Sequence, residues 1–123
     1  MSAQKWIVGV VGACGSGKTS LCKNVHSDVF ELRHIAQEHS YVKDMWKRIT
    51  NPNLLIYLDV TYENTIIRKR LNWTRAEYEE QLRRLEHAHQ HADLVIDTNL
   101  LTESQVAQKA LEYIYQKFNT SPP

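Results

Sequence analysis

"VVGACGSGKTS", residues 10–20, is the stretch on which the fold turns. Three of the chain's four glycines fall inside it, the fourth is Gly9, and it closes on Lys18-Thr19-Ser20. Glycine alone enters left-handed and tightly wrapped backbone without steric cost, so this concentration marks one specialised turn. Upstream, "KWIVGVVG" is a short, continuous, valine-rich apolar run, the pattern of a strand buried on both faces. Downstream, Thr19 to Val25 is compatible with a helix. The unit is strand, glycine turn, helix.

Outward from that unit the same alternation continues. "VFELRHI" (29–35) reads as a second strand. Ser40 is placed to cap a helix carrying Val42, Met45/Trp46 and Ile49 on one face, ending before Asn51-Pro52. "NLLIYLDV" (53–60) is another buried strand, followed by a helix from Thr61 to about Leu71. Thr74–Glu77 and Thr102–Gln105 are capping boxes. The first opens a long helix with Tyr78, Leu82, Leu85 and Ala92 on one stripe, and the second a final helix turning Val106, Ala110, Leu111, Ile114 and Phe118 to the core. Between them "ADLVIDTN" (92–99) is a further buried strand. Strands alternating with helices predict a parallel sheet with right-handed crossovers. The expected order puts the glycine-loop strand inside, "VFELRHI" on one side and "NLLIYL" then "LVID" on the other.

The bulk numbers bound this reading. The chain has 123 residues, 42% hydrophobic and 24% charged, which fits one globular domain over 1–118 with a short tail at 119–123. A net charge of +1 gives no general attraction to nucleic acid or to an acidic membrane surface, so neither is an expected partner. Two cysteines, Cys14 and Cys22, make no disulfide framework and suit a reducing compartment. The apolar run at Trp6–Val11 is too short to span a bilayer and lacks a signal-peptide pattern. The expectation is a cytoplasmic protein.

Gly12-Ala13-Cys14-Gly15-Ser16-Gly17-Lys18-Thr19 matches G-x-x-x-x-G-K-[ST], the phosphate-binding P-loop. Successive backbone N–H groups of such a loop point at phosphate oxygens, Lys18 supplies a charge to the β- and γ-phosphates, and Thr19 offers a hydroxyl to Mg²⁺. The following helix turns its positive end to the same anion. At usual residue frequencies a random match occurs in roughly 4 chains per thousand of this length, and here the motif also sits between a strand and a helix. The expected fold is a three-layer α/β P-loop NTPase domain with about four parallel strands, binding ATP or another nucleoside triphosphate with Mg²⁺.

Three segments resemble the small P-loop kinases, the group of nucleotide, nucleoside and dephospho-coenzyme A kinases. They are "VGVVGACGSGKTSL", "NLLIYLDVTYENTIIRKR" and "ADLVIDTNLLTESQVAQKALEYI". The resemblance implies that residues 12–19 hold the phosphates with Ser20 close by. It implies that Arg68, Arg70 and Arg75 belong to a lid closing over the transferred phosphoryl, and that Asp97, Thr98 and Asn99 lie near the base. It also implies phosphoryl transfer, which needs positioning and charge neutralisation more than covalent chemistry. The chain departs from the group between the first helix and "NLLIYL", where it has one strand in place of two and no apolar run ending in an acidic Asp-x-x-Gly or Asp-Arg. The acceptor region is reduced. No Asn-Lys-x-Asp stretch occurs, against a guanine-specific GTPase.

"RHIAQEHSYVKDMWKR" (33–48) is the remaining candidate for that region. Glu38 suits a general base or a holder of Mg²⁺-bound water, Arg33 and His39 suit an acceptor phosphate, and Tyr41 or Trp46 suits stacking on a ring. A solvated loop with Trp46 in the core is the alternative. Asp59, at a strand end, is a second metal candidate beside Thr19, or simply orients its turn. His87, His89 and His91 read as a solvated helix end, and Cys14 receives no catalytic role. Trp73 and Tyr113 have no assigned partner, and a homodimer would supply one. Three functions stay open: a kinase acting on a small-molecule acceptor, a nucleotide-binding module without transfer chemistry, and a slow NTPase.

Overall fold

The computed structural model describes residues 5–69 and 72–118. Arg70, Leu71 and the tail at 119–123 lie outside the described residues. The elements are β1 (Trp6–Gly12), α1 (Lys18–Asn24), β2 (Phe30–His34), a 3-10 turn (Gln37–His39), a π-helical turn (Trp46–Thr50), β3 (Leu54–Asp59), α2 (Tyr62–Lys69), α3 (Arg75–His91), β4 (Leu94–Asp97) and α4 (Glu103–Phe118). The strands form one parallel sheet in the order β2-β1-β3-β4. This is an α/β domain with the glycine-loop strand internal, and the strands stand in the expected order.

The sheet alternates its side chains between two cores. Val8, Val10, Leu54, Ile56, Leu58 and Ile96 meet Leu21 of α1 and Val106, Ala110 and Ile114 of α4. Val11, Leu55 and Tyr57 meet Trp46 and, from α3, Tyr78, Leu85 and Ala88. Each fully buried side chain of this size contributes about 1.5–3 kcal/mol, and the helices are held by these faces more than by propensity. Both capping boxes form: Thr74 Oγ1 accepts from Glu77 N while Thr74 N donates to Glu77 Oε1, and Thr102 and Gln105 exchange the same pair of bonds.

The helix expected after Ser40 does not form as an α-helix. Val42 N donates to Ser40 Oγ in a local turn, and Gln37 Oε1 accepts the N–H of Trp46. Asn51 N then reaches back to Trp46 O, leaving Asn51 at a left-handed φ of 44°. A side chain thus takes the amide that a helix would have used. Trp46 alone of the expected stripe is buried, while Val42 and Ile49 are exposed. Trp73 and Tyr113 find partners within the chain: Trp73 Nε1 donates to Thr65 Oγ1, and Tyr113 packs on the α1–α4 core.

Candidate functional site

A cavity of about 740 Å³ opens where the carboxyl ends of the strands meet the loops that follow them. Volume of this order suits a small organic ligand, and the carboxyl edge is where parallel sheets place such sites. Its wall is the glycine loop from Cys14 through Ser20, with His34, Glu38 and His39 on one side and Arg68, Lys69, Thr98, Leu101 and Glu103 on the other.

The loop's shape follows from its glycines at two points. Gly17 caps α1 at φ 101°, a left-handed conformation that L side chains rarely enter. At Gly12 a Cβ would stand 2.6 Å from both Leu58 O and Ser16 Oγ, so only glycine lets β1 pass so close to β3 and to the loop's own return. The wrap carries Lys18 inward, where it is buried at 5% exposure. Its ammonium donates to Gly12 O at 2.6 Å and to Ala13 O at 3.2 Å.

Lys18 also meets Glu38, Nζ to Oε2 at 2.8 Å, with Glu38 only 3% exposed. The 3-10 turn that carries Glu38 is fixed by Gln37, which is fully buried and donates from Nε2 to Val42 O and Arg84 O. Two side-chain oxygens at the loop, Ser16 Oγ and Glu38 Oε1, are buried without a partner. Buried polar atoms are nearly always satisfied by protein or water, so each of these oxygens can take a further hydrogen bond. His34 at the rim has its pKa lowered, first by burial and then by the charge of Lys18.

On the opposite wall Arg68 donates from Nη1 to Thr98 Oγ1 at 2.8 Å and from Nη2 to Thr98 O. Thr98 is itself tied to β3, its N and Oγ1 both donating to Asp59 O. Ser20 Oγ donates to Glu103 Oε1 at the mouth.

Of the residues singled out in the sequence, the cavity gathers Cys14 to Ser20, Glu38, His39, Arg68 and Thr98. Gly12 and Ala13 form the root of the loop and hold Lys18 by their carbonyls. Others lie elsewhere. Arg33 pairs with Glu31 on the outer side of β2, and Tyr41 is exposed with the guanidinium of Arg84 over its ring at 4.3 Å. Arg75 pairs with Glu63. Asp97 Oδ1 accepts from Asn99, and Asn99 Oδ1 in turn accepts from Thr61 N and Asn64 Nδ2, so both serve the start of α2. Asp59 Oδ1 accepts from Val60 N and is not part of the cavity wall. Arg70 lies outside the described residues.

Gln81 is the residue the sequence reading missed. It accepts from Cys14 N at 2.9 Å and donates to Cys14 Sγ at 3.2 Å, buttressing the glycine loop from α3. Its signal was present: Tyr78, Gln81, Leu85 and Ala88 are the buried positions of α3, and a glutamine at core spacing calls for a polar partner. Among the described residues no helix is long and apolar enough to cross a membrane. The chain matches no family model, and no curated protein matches it.

Proposed function

We propose that the chain is a P-loop protein of the small-kinase type, binding a nucleoside triphosphate with Mg²⁺ and transferring its terminal phosphoryl group to a small-molecule acceptor. One observation carries this reading. A lysine and a glutamate, both buried, meet at 2.8 Å over a glycine loop at the carboxyl edge of a parallel sheet. Isolated buried charge is costly, and this pair lines a cavity that Ser16 also lines, with Ser16 Oγ and Glu38 Oε1 both buried without a protein partner.

The chemistry assigns the parts. Lys18 would turn from Gly12 O and Glu38 to the β- and γ-phosphate oxygens, and the loop amides and Ser16 Oγ would donate to the same oxygens. Freed of Lys18, Glu38 would accept the proton of the acceptor hydroxyl as the acceptor oxygen bonds to the γ-phosphorus and the bridging oxygen leaves with the diphosphate. Arg68, released from Thr98, would neutralise charge on the moving group. Mg²⁺, held by Thr19, would shield the β- and γ-oxygens. Thr19 lies in the cavity wall and offers one oxygen there, whereas Asp59, the other candidate, lies outside that wall.

A binding module without transfer is the second reading, favoured by the exposure of Tyr41 and the outward pairing of Arg33. Phosphorus NMR of ATP·Mg²⁺ with a panel of nucleosides, nucleoside monophosphates and pantetheine compounds separates the two. Transfer gives a phosphoester signal that requires an acceptor, and Glu38→Gln keeps binding while slowing turnover about 10²–10⁴-fold. ADP without acceptor makes the chain an NTPase. Intact ATP with broadened resonances supports the module, and unperturbed resonances overturn nucleotide binding altogether.

A further inference from the structure

We propose that Cys14, His39 and Glu38 form a three-ligand site for a thiophilic divalent metal ion of the zinc class. One ligand atom from each, a thiol sulfur, an imidazole nitrogen and a carboxylate oxygen, lies within 4.8 Å of the others. His39 Nε2 stands 3.7 Å from Cys14 Sγ and 3.8 Å from Glu38 Oε2. Usual zinc bond lengths and a tetrahedral angle put a sulfur and a nitrogen ligand about 3.6 Å apart and a nitrogen and an oxygen ligand about 3.4 Å apart. The histidine nitrogen therefore stands within a few tenths of an ångström of the separations a shared ion imposes on both of its partners, and the sulfur and the carboxylate oxygen lie within 4.8 Å of each other.

A nucleophilic cysteine activated by a histidine would also bring Sγ and an imidazole together. That arrangement uses one ring nitrogen for the thiol and the other for an orienting carboxylate. Here the same nitrogen faces both partners, the geometry of convergence on one ion. The carboxylate is 3% exposed and carries an oxygen, Oε1, that no protein group satisfies. The thiol is held in place by Gln81, whose Nε2 donates to Sγ, as an outer-shell amide supports a thiolate ligand. Sulfur with imidazole selects zinc or cobalt over magnesium, which takes oxygen ligands. The His39 side chain is 60% exposed, leaving the fourth position open to water or a small ligand. Glu38 Oε2 is also the atom that Lys18 meets at 2.8 Å, so the ion and the ammonium compete for this carboxylate, and a metal-bound Glu38 is not the free base of the nucleotide reading.

The test is titration of the metal-free full-length chain with Co²⁺. Expected are a thiolate-to-cobalt charge-transfer band at one equivalent, its loss on adding Zn²⁺, and no change in Cys22→Ser. Cys14→Ser should abolish the band, and His39→Ala should weaken Zn²⁺ by at least about tenfold, since losing a ligand costs no less than losing an outer-shell partner. Matching circular dichroism for Cys14→Ser excludes misfolding, and the wild-type spectrum depends on no variant. Absence of the band in the wild-type chain, its survival in Cys14→Ser, or unchanged Zn²⁺ affinity in His39→Ala overturns the site. ATP titration in parallel reports on the nucleotide reading separately.

Discussion

On the face covered by α1 and α4, sheet and helices meet almost entirely through aliphatic side chains, with Ile56, Leu58, Ala110 and Ile114 fully buried. On the opposite face Leu55, Leu85 and Trp46 share the interior with Gln37, Gln81 and the hydroxyls of Tyr78 and Thr65, each polar group hydrogen-bonded. The first face is an exercise in volume. The second is a polar network that ends at Glu38 and Lys18, so its packing and the geometry of the cavity are one structure. A face held by volume tolerates small losses, whereas one held by hydrogen bonds leaves buried groups unmet when any member goes.

The largest effect should come from the end of that network. Lys18→Met leaves Glu38 buried beside an apolar side chain and should destabilise the fold by about 3–5 kcal/mol, the usual result of removing one member of a buried pair. Adding Glu38→Gln should restore most of the loss, because the uncompensated charge is then gone. Urea unfolding of the two variants decides it. If Lys18→Met unfolds like the wild type, the pair is open to water and the contrast between the faces fails at its edge.

A matched pair of substitutions sharpens the contrast inside the cores. Gln37→Leu nearly conserves volume but takes the partner from the buried Trp46 N, while Val42 O keeps Met45 N and Arg84 O stays within α3, and should cost about 1–3 kcal/mol for the unmet group. Ile114→Val on the aliphatic face removes one methylene and should cost about 1 kcal/mol. Equal midpoint shifts in urea would show that the glutamine acts as filler.

The same contrast explains what was legible in the sequence. The aliphatic face writes itself as continuous runs and helical stripes, so β1, β3, β4 and α4 follow from periodicity, and the capping boxes mark two helix starts. The polar face is invisible to periodicity. Nothing in "HIAQEHSYVKDMW" announces that the side chain of Gln37 takes the amide of Trp46 and replaces a helix with a turn. The site divides along the same line. The glycine loop and Glu38 were readable from residue type and place, but Arg33 and His34 leave β2 on opposite sides, and only His34 reaches the cavity. Strand register, which that choice requires, comes from the tertiary pairing of β2 with β1.

The two faces should also respond differently to pH. On the polar side Trp46 Nε1 donates to His87 Nδ1 at 3.1 Å, so the bonded imidazole has no proton on Nδ1. Its pKa is lowered from the ordinary 6.5, first by desolvation and then by the charges of His91 and Lys43. The unfolded chain therefore binds this proton more readily, and the stability it contributes is full above 6.5 and lost as pH falls through the lowered value. On the aliphatic side burial pushes the Cys22 thiol from 9.0 up to about 11, so its contribution is full below 9.0 and lost as pH rises through about 11. The Trp46 indole N–H resonance should hold steady above pH 6.5 and move below it. Cys22→Ala should flatten part of the alkaline loss while leaving the acid limb untouched. The burial of Tyr57 also raises its phenol and adds a further alkaline loss from the polar side, which Cys22→Ala leaves in place. An indole resonance that shifts above 6.5 would break the assignment of the acid response to His87, and an alkaline limb indifferent to Cys22 would break the share given to the aliphatic face.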